Sequence, residues 1–567
     1  MARFCLLIGL IAAFVACAPG VASAWMPAPV QFSRAVPLRA GAHAAGAART
    51  AEVRTGRRVD LIGVEWDAAR SARIELRTRT DHGRWTRWAD ASAADDGPDR
   101  GEGARGATFS NPIWVGGADR VQLRLSRTVR GLRLRMINTT GSATAGDRAR
   151  TRAEVARRGA FGVRKLPATS AGMPKIVPRA AWGASRCKPR VTPSYGAVHV
   201  AYVHHTESPN GYSRARSASI VLGVCLFHRN VRGWHDIGYD FLVDRYGTVF
   251  EGRAGGADAP VIGAQAGGFN GESTGVTLIG SFTSFAPPRP AMRSLARLLA
   301  WKLGVHGVPA IGRTQVTSGG GPDTGYPAGT RVTVNRIAGH RDVDRTACPG
   351  NALYARLPAL RREVARLEGP ISQLTIGPVV QQSAYGSGVP VNGRLTAPSG
   401  APGGAAIELR RFDGFTDTTV ATATTAADGS WSALLPPLPG TGAVRAVFAG
   451  DPGRPGVVSD TAYVGVTPRV DLGVSPGSIP AGGTVTASGS TAPAKAAVSV
   501  TAYLQLSGGG QRRVASRRVR VRNGSFSAGL KLDTAGTYRL VARVGADGGS
   551  ASGNSPAVTV TVTPPAA

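Results

Sequence analysis

The sequence predicts a multidomain protein. A central mixed α/β domain, a β-sheet flanked by helices, lies between an N-terminal β-domain and a pair of C-terminal β-sandwiches. Three observations carry this. Residues 59–138 alternate apolar and charged side chains with period two, the mark of half-buried strands. Residues 173–368 interleave buried-strand runs with helical stripes, the pattern of a mixed α/β core. Beyond residue 371 the helical signal disappears, and Gly, Pro, Ser, Thr, Val and Ala dominate between closely spaced turn signals. At 567 residues the chain is also too long for one hydrophobic core.

Taken in order, residues 1–24 read as a secretory signal. Arg3 supplies the positive region, Leu6 to Ala16 the apolar region, and Ala22-Ser23-Ala24 the small-residue cleavage site before Trp25. That apolar run is too short to span a membrane, and no other segment is apolar enough to do so. Val15-Ala16-Cys17 also resembles a lipoprotein box, which Phe14 fits poorly. Residues 25–58, rich in Ala, Arg and Pro, read as a linker. In the N-terminal β-domain, 59–138, the alternating runs are Ala72 to Arg77, Val121 to Leu125 and Leu132 to Ile137. Its Trp66, Trp85, Trp88 and Trp114 are either core and rim residues or a sugar-stacking platform. Residues 139–172 read as a second linker with one short helix near Ala153–Ala156.

In the central domain, 173–368, Val198 to Val203 reads as a buried strand leading into His204. Ser217 to Arg229 reads as a helix with Ile220, Val221, Cys225 and Leu226 on one face. Phe241 to Glu251 reads as two strands around a glycine turn, and Val276 to Ile279 as another strand. Leu295, Leu298, Leu299 and Leu303 form one helical stripe, and Leu353, Leu357, Leu360, Val364 and Leu367 a second. The C-terminal region carries a weak repeat. Asp428-Gly429-Ser430-Trp431-Ser432 recurs as Asn523-Gly524-Ser525-Phe526-Ser527, 95 positions later. That spacing predicts tandem immunoglobulin-like sandwiches over 371–467 and 468–567.

The formal charge is +33, from 68 basic and 35 acidic residues. It favours adhesion to an anionic surface. No aromatic-interleaved basic motif or nucleic-acid module accompanies it, so a nucleic-acid partner is not expected. Of the five cysteines, Cys5 and Cys17 lie in the signal. Either Cys187 and Cys225 pair while Cys348 binds a metal, or all three are free.

His340 and Cys348 stand eight positions apart without helical patterning, and His204 ends an apolar β-branched run well upstream. Two imidazoles and a thiolate can hold zinc and leave its fourth position open, the arrangement of a hydrolytic site. Adjacent strand residues face opposite ways, so only one of His204 and His205 can point at a given metal. The other histidines have plainer readings: His199 as a packed strand residue, His228, His235 and His306 as surface or helix-end residues, and His43 and His82 outside the domain.

Four blocks, in order, carry a resemblance: Pro178-Arg179-Ala180-Ala181-Trp182-Gly183-Ala184, Tyr202-Val203-His204-His205-Thr206, Gly233-Trp234-His235-Asp236-Ile237-Gly238-Tyr239-Asp240-Phe241, and Gly339-His340-Arg341-Asp342 through Thr346-Ala347-Cys348-Pro349-Gly350. Gly263 to Asn270 adds a looser fifth. Together they resemble the zinc amidase family that includes peptidoglycan recognition proteins and phage amidase-type lysozymes. The resemblance implies N-acetylmuramoyl-L-alanine amidase activity on peptidoglycan, with zinc on His204, His340 and Cys348. It implies that Tyr239 hydrogen-bonds the attacking water and that Thr346 is aimed at the oxyanion. Gln265 stands where many relatives have His, and Thr314 to Gly329 looks like an insertion. The expected protein is secreted, with peptidoglycan and anionic wall polymers as partners. The competing expectations are a non-catalytic peptidoglycan-binding module and a wall-bound adhesin.

Overall fold

Val200–His205 is an apolar run ending in two histidines, and all six of its residues are buried. It lies second from one edge of the central sheet of this computed structural model. The structure describes residues 28–37, 48–49, 52–67, 72–80, 83–99, 101–103, 106–139, 141, 169–412 and 417–565. The stretch read as a signal sequence with its lipoprotein-like box, the helix expected near Ala153–Ala156, His43 and His82 lie outside the described residues. In the central unit we number strands β1 (Ile176–Val177), β2 (Val200–His205), β3 (Phe241–Val243), β4 (Val249–Glu251), β5 (Ser273–Leu278) and β6 (Ile337–Gly339). The longer helices are α1 (Ser217–Leu226), α2 (Arg289–Val305) and α3 (Leu357–Glu368).

The sheet order is β6-β2-β5-β3-β4-β1. β2 runs parallel to both β5 and β6, and β3 parallel to β5. β3 and β4 form the one hairpin of this sheet, turned at Gly247 with φ +83°. Parallel strands are covered on both faces, and these are. Ala201, Val203, Phe241, Val276 and Ile337 pack with the leucines of α2 and with Leu360 and Val364 of α3. On the other face Leu242 and Phe250 pack with α1. The second leucine stripe divides, since Leu353 lies in a separate turn, Asn351–Tyr354, before α3 begins.

The N-terminal unit is a twisted antiparallel sheet. The strands Val30–Ala35, Arg133–Asn138, Val53–Trp66, Ile113–Leu125, Ile74–Arg79 and Ala89–Asp90 follow one another across it. Its first strand falls in the stretch that composition alone reads as linker. Trp66 and Trp114 are buried in different clusters, while Trp85 and Trp88 are half-buried with Arg77 over both rings. The four tryptophans therefore form no common platform. Leu61, Trp114 and Ile137 join the cluster of α1. Two glycines permit the close approach. A Cβ on Gly63 would lie 2.1 Å from Phe227 Cε2, and one on Gly223 3.0 Å from Leu61 Cδ1. A helix apolar on all sides must be covered on all sides; α1 has the central sheet on one side and the N-terminal unit on the other.

Each C-terminal unit has a three-stranded and a six-stranded sheet around its own apolar cluster. The strand pattern of the first unit repeats in the second. Trp431 and Phe526, the aromatics of the sequence repeat, are both buried. The first unit is keyed to the central one. Tyr195 stacks on Phe412 with ring centroids 3.7 Å apart. Arg445 Nη2 lies 2.9 Å from Asp258 of the central unit and 2.6 Å from Asp417. All three side chains are at most 1% exposed.

Removing one partner of a buried ion pair strands the other charges, typically at a cost of about 3–5 kcal/mol. Arg445→Ala is therefore expected to destabilise the full chain by about that amount in denaturant unfolding. A loss below about 1 kcal/mol, the scale of an exposed ion pair, would show that the stacked aromatics hold the junction without it.

Candidate metal centre

The register of the sheet builds the site. Val203 of β2 pairs with Gly339 of β6 in parallel, so the next residues, His204 and His340, leave side by side. Their ring centroids are 4.6 Å apart. His340 opens a one-turn helix, His340–Asp342, capped where Asp342 Oδ2 accepts the Gly339 N–H at 2.9 Å. The chain then doubles back. The Arg341 N–H donates to the Cys348 carbonyl at 3.0 Å, and this returns Cys348 to the histidines. Cys348 Sγ lies 3.6 Å from His204 Nδ1. One donor atom from each of His204, His340 and Cys348 falls within 4.8 Å of the others, and all three residues are buried.

Each imidazole has one nitrogen spoken for. Gln265 Oε1 lies 3.0 Å from His204 Nε2, while Gln265 Nε2 donates to Ser273 Oγ at 3.0 Å. The amide so oriented accepts the Nε2–H and leaves Nδ1 with its lone pair. Asp344 Oδ2 lies 2.9 Å from His340 Nε2, and His340 Nδ1 is buried with no hydrogen-bond partner. An orphaned buried nitrogen is costly unless something binds it. A tetrahedral zinc with bonds of about 2.3 Å to sulfur and about 2.0 Å to nitrogen separates the two ligand atoms by about 3.5 Å. The 3.6 Å between Cys348 Sγ and His204 Nδ1 matches this. The residues fit zinc. His205 is directed elsewhere: its Nδ1 accepts the Phe282 N–H at 3.1 Å and its Nε2 faces Glu207 at 3.3 Å.

Burial, and next the neighbouring His340, push the His204 pKa well below its usual value, so this ring is a neutral ligand. His340 is also pushed down by burial, but the Asp344 carboxylate, joined by Asp95 and Asp96, outweighs this and raises it. Burial, then the charge of Asp95, pushes the Cys348 thiol well up in the absence of metal. The His205 main-chain N–H donates to Cys348 and opposes that rise.

Tyr239 stands two residues before β3, with its ring centroid 5.5 Å from that of His204. Burial, and then Asp96, hold its pKa well above the usual phenol value. Its hydroxyl therefore stays protonated and donates to Asp96 Oδ2 at 3.0 Å. Thr346 Oγ1 accepts the Cys348 N–H at 2.8 Å and donates to Asp95. Asp95 and Asp96 come from the N-terminal unit, and sequence reasoning assigned them nothing. Their one signal is that they are an acidic pair in a strongly basic chain. Asp344 was equally unmarked. His228 lies in the helical turn Phe227–Val231 that ends α1, and it is buried. Its Nδ1 accepts the Gly238 N–H at 3.1 Å, and burial lowers its pKa to about 3. His199 is half-exposed and faces Asp460 and Glu272.

Thr314 to Gly329 belongs to a hairpin, Arg313–Thr317 with Arg331–Asn335, and its connecting loop. Thr324 Oγ1 donates to the Val343 carbonyl at 2.9 Å, and the Arg345 N–H to the Asp323 carbonyl at 3.1 Å. This segment thus braces the loop between His340 and Cys348. Behind the site a Cys187–Cys225 disulfide ties the entry of the unit to α1.

Residues 194–351 match a sequence family described as N-acetylmuramoyl-L-alanine amidase. Residues 21–156 match one described as Rv3811 N-terminal galactose-binding domain-like. An N-acetylmuramoyl-L-alanine amidase of Mus musculus is 30% identical over 32% of this chain and 30% of its own length. The chain spans under a third of the mammalian amidases it matches. Peptidoglycan recognition protein 1 of Bos taurus is 31% identical over 32% of this chain and 80% of its own. The solved Drosophila PGRP-LB is 27% identical over 33% of this chain and 93% of that one, with a TM-score of 0.26. The segment so matched contains both histidines and the cysteine of the cluster, and by that likeness the chain belongs to the family of N-acetylmuramoyl-L-alanine amidases and peptidoglycan recognition proteins.

Proposed function

We propose that this protein is an exported, zinc-dependent N-acetylmuramoyl-L-alanine amidase. It hydrolyses the amide between the lactyl group of the peptidoglycan glycan and the L-alanine of the stem peptide. The observation that carries the reading is the orphaned His340 Nδ1 beside His204 and Cys348, in the segment that matches the amidases. Zinc held by His204, His340 and Cys348 supplies a Lewis acid for the carbonyl and lowers the pKa of a water to about 7.

The chain's own residues do the rest. Gln265 and Asp344 fix the tautomers, so that both rings present Nδ1. Two neutral imidazoles and one thiolate leave a formal charge of +1 on the site. Tyr239, neutral across the working pH range, hydrogen-bonds the attacking water. Thr346 donates to the oxygen that gains charge as water adds; it brings no charge of its own. The C–N bond then breaks: the lactyl group keeps the oxygen of the added water as a carboxylate, and the stem peptide leaves as an amine carrying the protons that the water gave up.

A disulfide suits a protein that works outside the cytoplasm, in keeping with the signal-like N-terminus. No helix among the described residues is long and apolar enough to cross a membrane. The C-terminal units are read as immunoglobulin-like sandwiches that hold the amidase near anionic wall polymers; their repeated two-sheet pattern and the charge of +33 support this.

Zinc-loaded protein incubated with muropeptides should release free stem peptide from intact glycan, seen by mass spectrometry, and a chelator should stop it. No release by the full chain, or by a D99A/E102A variant that lacks two carboxylates by which the N-terminal unit bonds to Gly268 and Arg253 of the central one, would leave a non-catalytic binding module. Tyr239→Phe should retain zinc and lose about 10²-fold or more in rate; an unchanged rate would remove Tyr239 from the mechanism. Asp344→Ala should weaken zinc about 10–100-fold in competition with a chelating dye. Equal affinity would show that the His340 ring needs no such support.

A further inference from the structure

The N-terminal unit bonds to the central unit through four carboxylates, two of which, Asp95 and Asp96, line the metal centre. Asp95 accepts from the Thr346 hydroxyl. Asp96 accepts from Tyr239 at 3.0 Å and is paired with Arg232, whose Nη2 also donates to the Asp96 carbonyl at 2.6 Å. Asp99 accepts from the Gly268 N–H at 2.7 Å and from Asn270 Nδ2 at 2.9 Å. Glu102 accepts from the His235 N–H at 2.7 Å and from Arg253 at 2.9 Å. In a chain of net charge +33, this concentration of acids is local, and it meets two arginines.

These contacts close the site. Asp95, Asp96, Tyr239, His204, His340 and Cys348 line one space, with no room in it for a water molecule. His204 and His340 are 0% exposed, and Tyr239 and Cys348 5%. The reaction needs the Tyr239 and Thr346 hydroxyls free to meet water and an amide. Here both are taken by carboxylates of a neighbouring unit.

We propose that the face of the central unit above the metal centre is a docking surface for the unit's own N-terminal neighbour, and that the Asp95–Asp99 turn sits there as an intramolecular plug in the place of substrate. The inference rests on the amidase reading for what the plug inhibits, but not for the docking itself. Two kinds of contact divide the labour. Leu61, Trp114 and Ile137 on α1 are apolar and water-excluding, and they keep the N-terminal unit attached. The turn is held by hydrogen bonds and ion pairs, which a competing anion can replace. A glycopeptide bearing free carboxylates offers Arg232 and Arg253 the same chemistry as Asp96 and Glu102, so substrate of that class can displace the turn. The resting full chain is latent, and it opens without losing its N-terminal unit.

The test uses the full chain in three forms: wild type, D95A/D96A and D99A/E102A. The last pair touches neither Tyr239 nor Thr346, so it loosens the turn without altering the reacting groups. Metal-free samples are alkylated with iodoacetamide, and modification of Cys348 is followed by peptide mass spectrometry. Muropeptide binding is measured on the same samples, and hydrolysis on zinc-loaded ones. Thermal melting confirms that the variants fold. In both variants Cys348 should react at least tenfold faster than in wild type, and muropeptide should bind at least tenfold more tightly. D99A/E102A should also hydrolyse it at least tenfold faster at low substrate concentration.

Faster alkylation and tighter binding without hydrolysis in any form would keep the plug and sink the amidase reading. Unchanged alkylation and binding in both folded variants would overturn the plug. So would loss of hydrolysis in D95A/D96A with D99A/E102A like wild type, since that would make the pair working parts of the site.

Discussion

The parallel pairing of Val203 with Gly339 is the constraint on which the rest of the site depends. Side chains alternate along a strand, so a one-residue slip of β2 would turn His204 toward α2 and α3 and bring His205 out in its place. Packing on both faces opposes that slip, because Ala201 and Val203 fill the face against the helices while Val200 and Tyr202 fill a separate cluster on the other. Core packing thus decides which of two adjacent histidines can bind metal. His340, the first residue past β6, inherits its position from the same register. Cys348 arrives only because the loop after His340 folds back and brings the Cys348 carbonyl onto the Arg341 N–H.

Burying two imidazoles and a thiol is unfavourable unless their polar atoms are satisfied. Gln265, Asp344 and the His205 main chain satisfy one side of each. What remains is a set of three donor atoms facing one another. The unpartnered His340 Nδ1 is the clearest sign that the fold is organised around something it binds.

The flanking units are attached by different physics. The N-terminal unit covers the second face of α1 with apolar contacts and the metal centre with acids. Apolar contact is indifferent to small displacement, whereas the polar contact can be exchanged for another anion. The first C-terminal unit is fixed by a stacked pair of rings and by Arg445, a cation buried between carboxylates of two units. Such a pair has strict geometry and tolerates little movement.

Much of this was legible in the sequence because it depends on local periodicity. The β3–β4 hairpin, the leucine faces of α2 and α3 and the alternation of the N-terminal strands each follow from spacing within a short window. The one-sided reading of α1 fell short. Leu222 and Val224 are apolar as well, and only a second covering unit explains why they are buried. Likewise Arg445 and Asp258 carry no mark of pairing, being 187 positions apart, and Trp66 and Trp114 gave no hint that they serve different cores. By itself the sequence determined the residue types that can hold a metal and the strands that present them, since both are set by composition and by near neighbours. Only the tertiary structure decided which histidine turns inward, which polar groups orient it, and that Asp95 and Asp96 close the site. Those are contacts between residues far apart in the chain, made through sheet register and domain docking, and they leave no periodic trace.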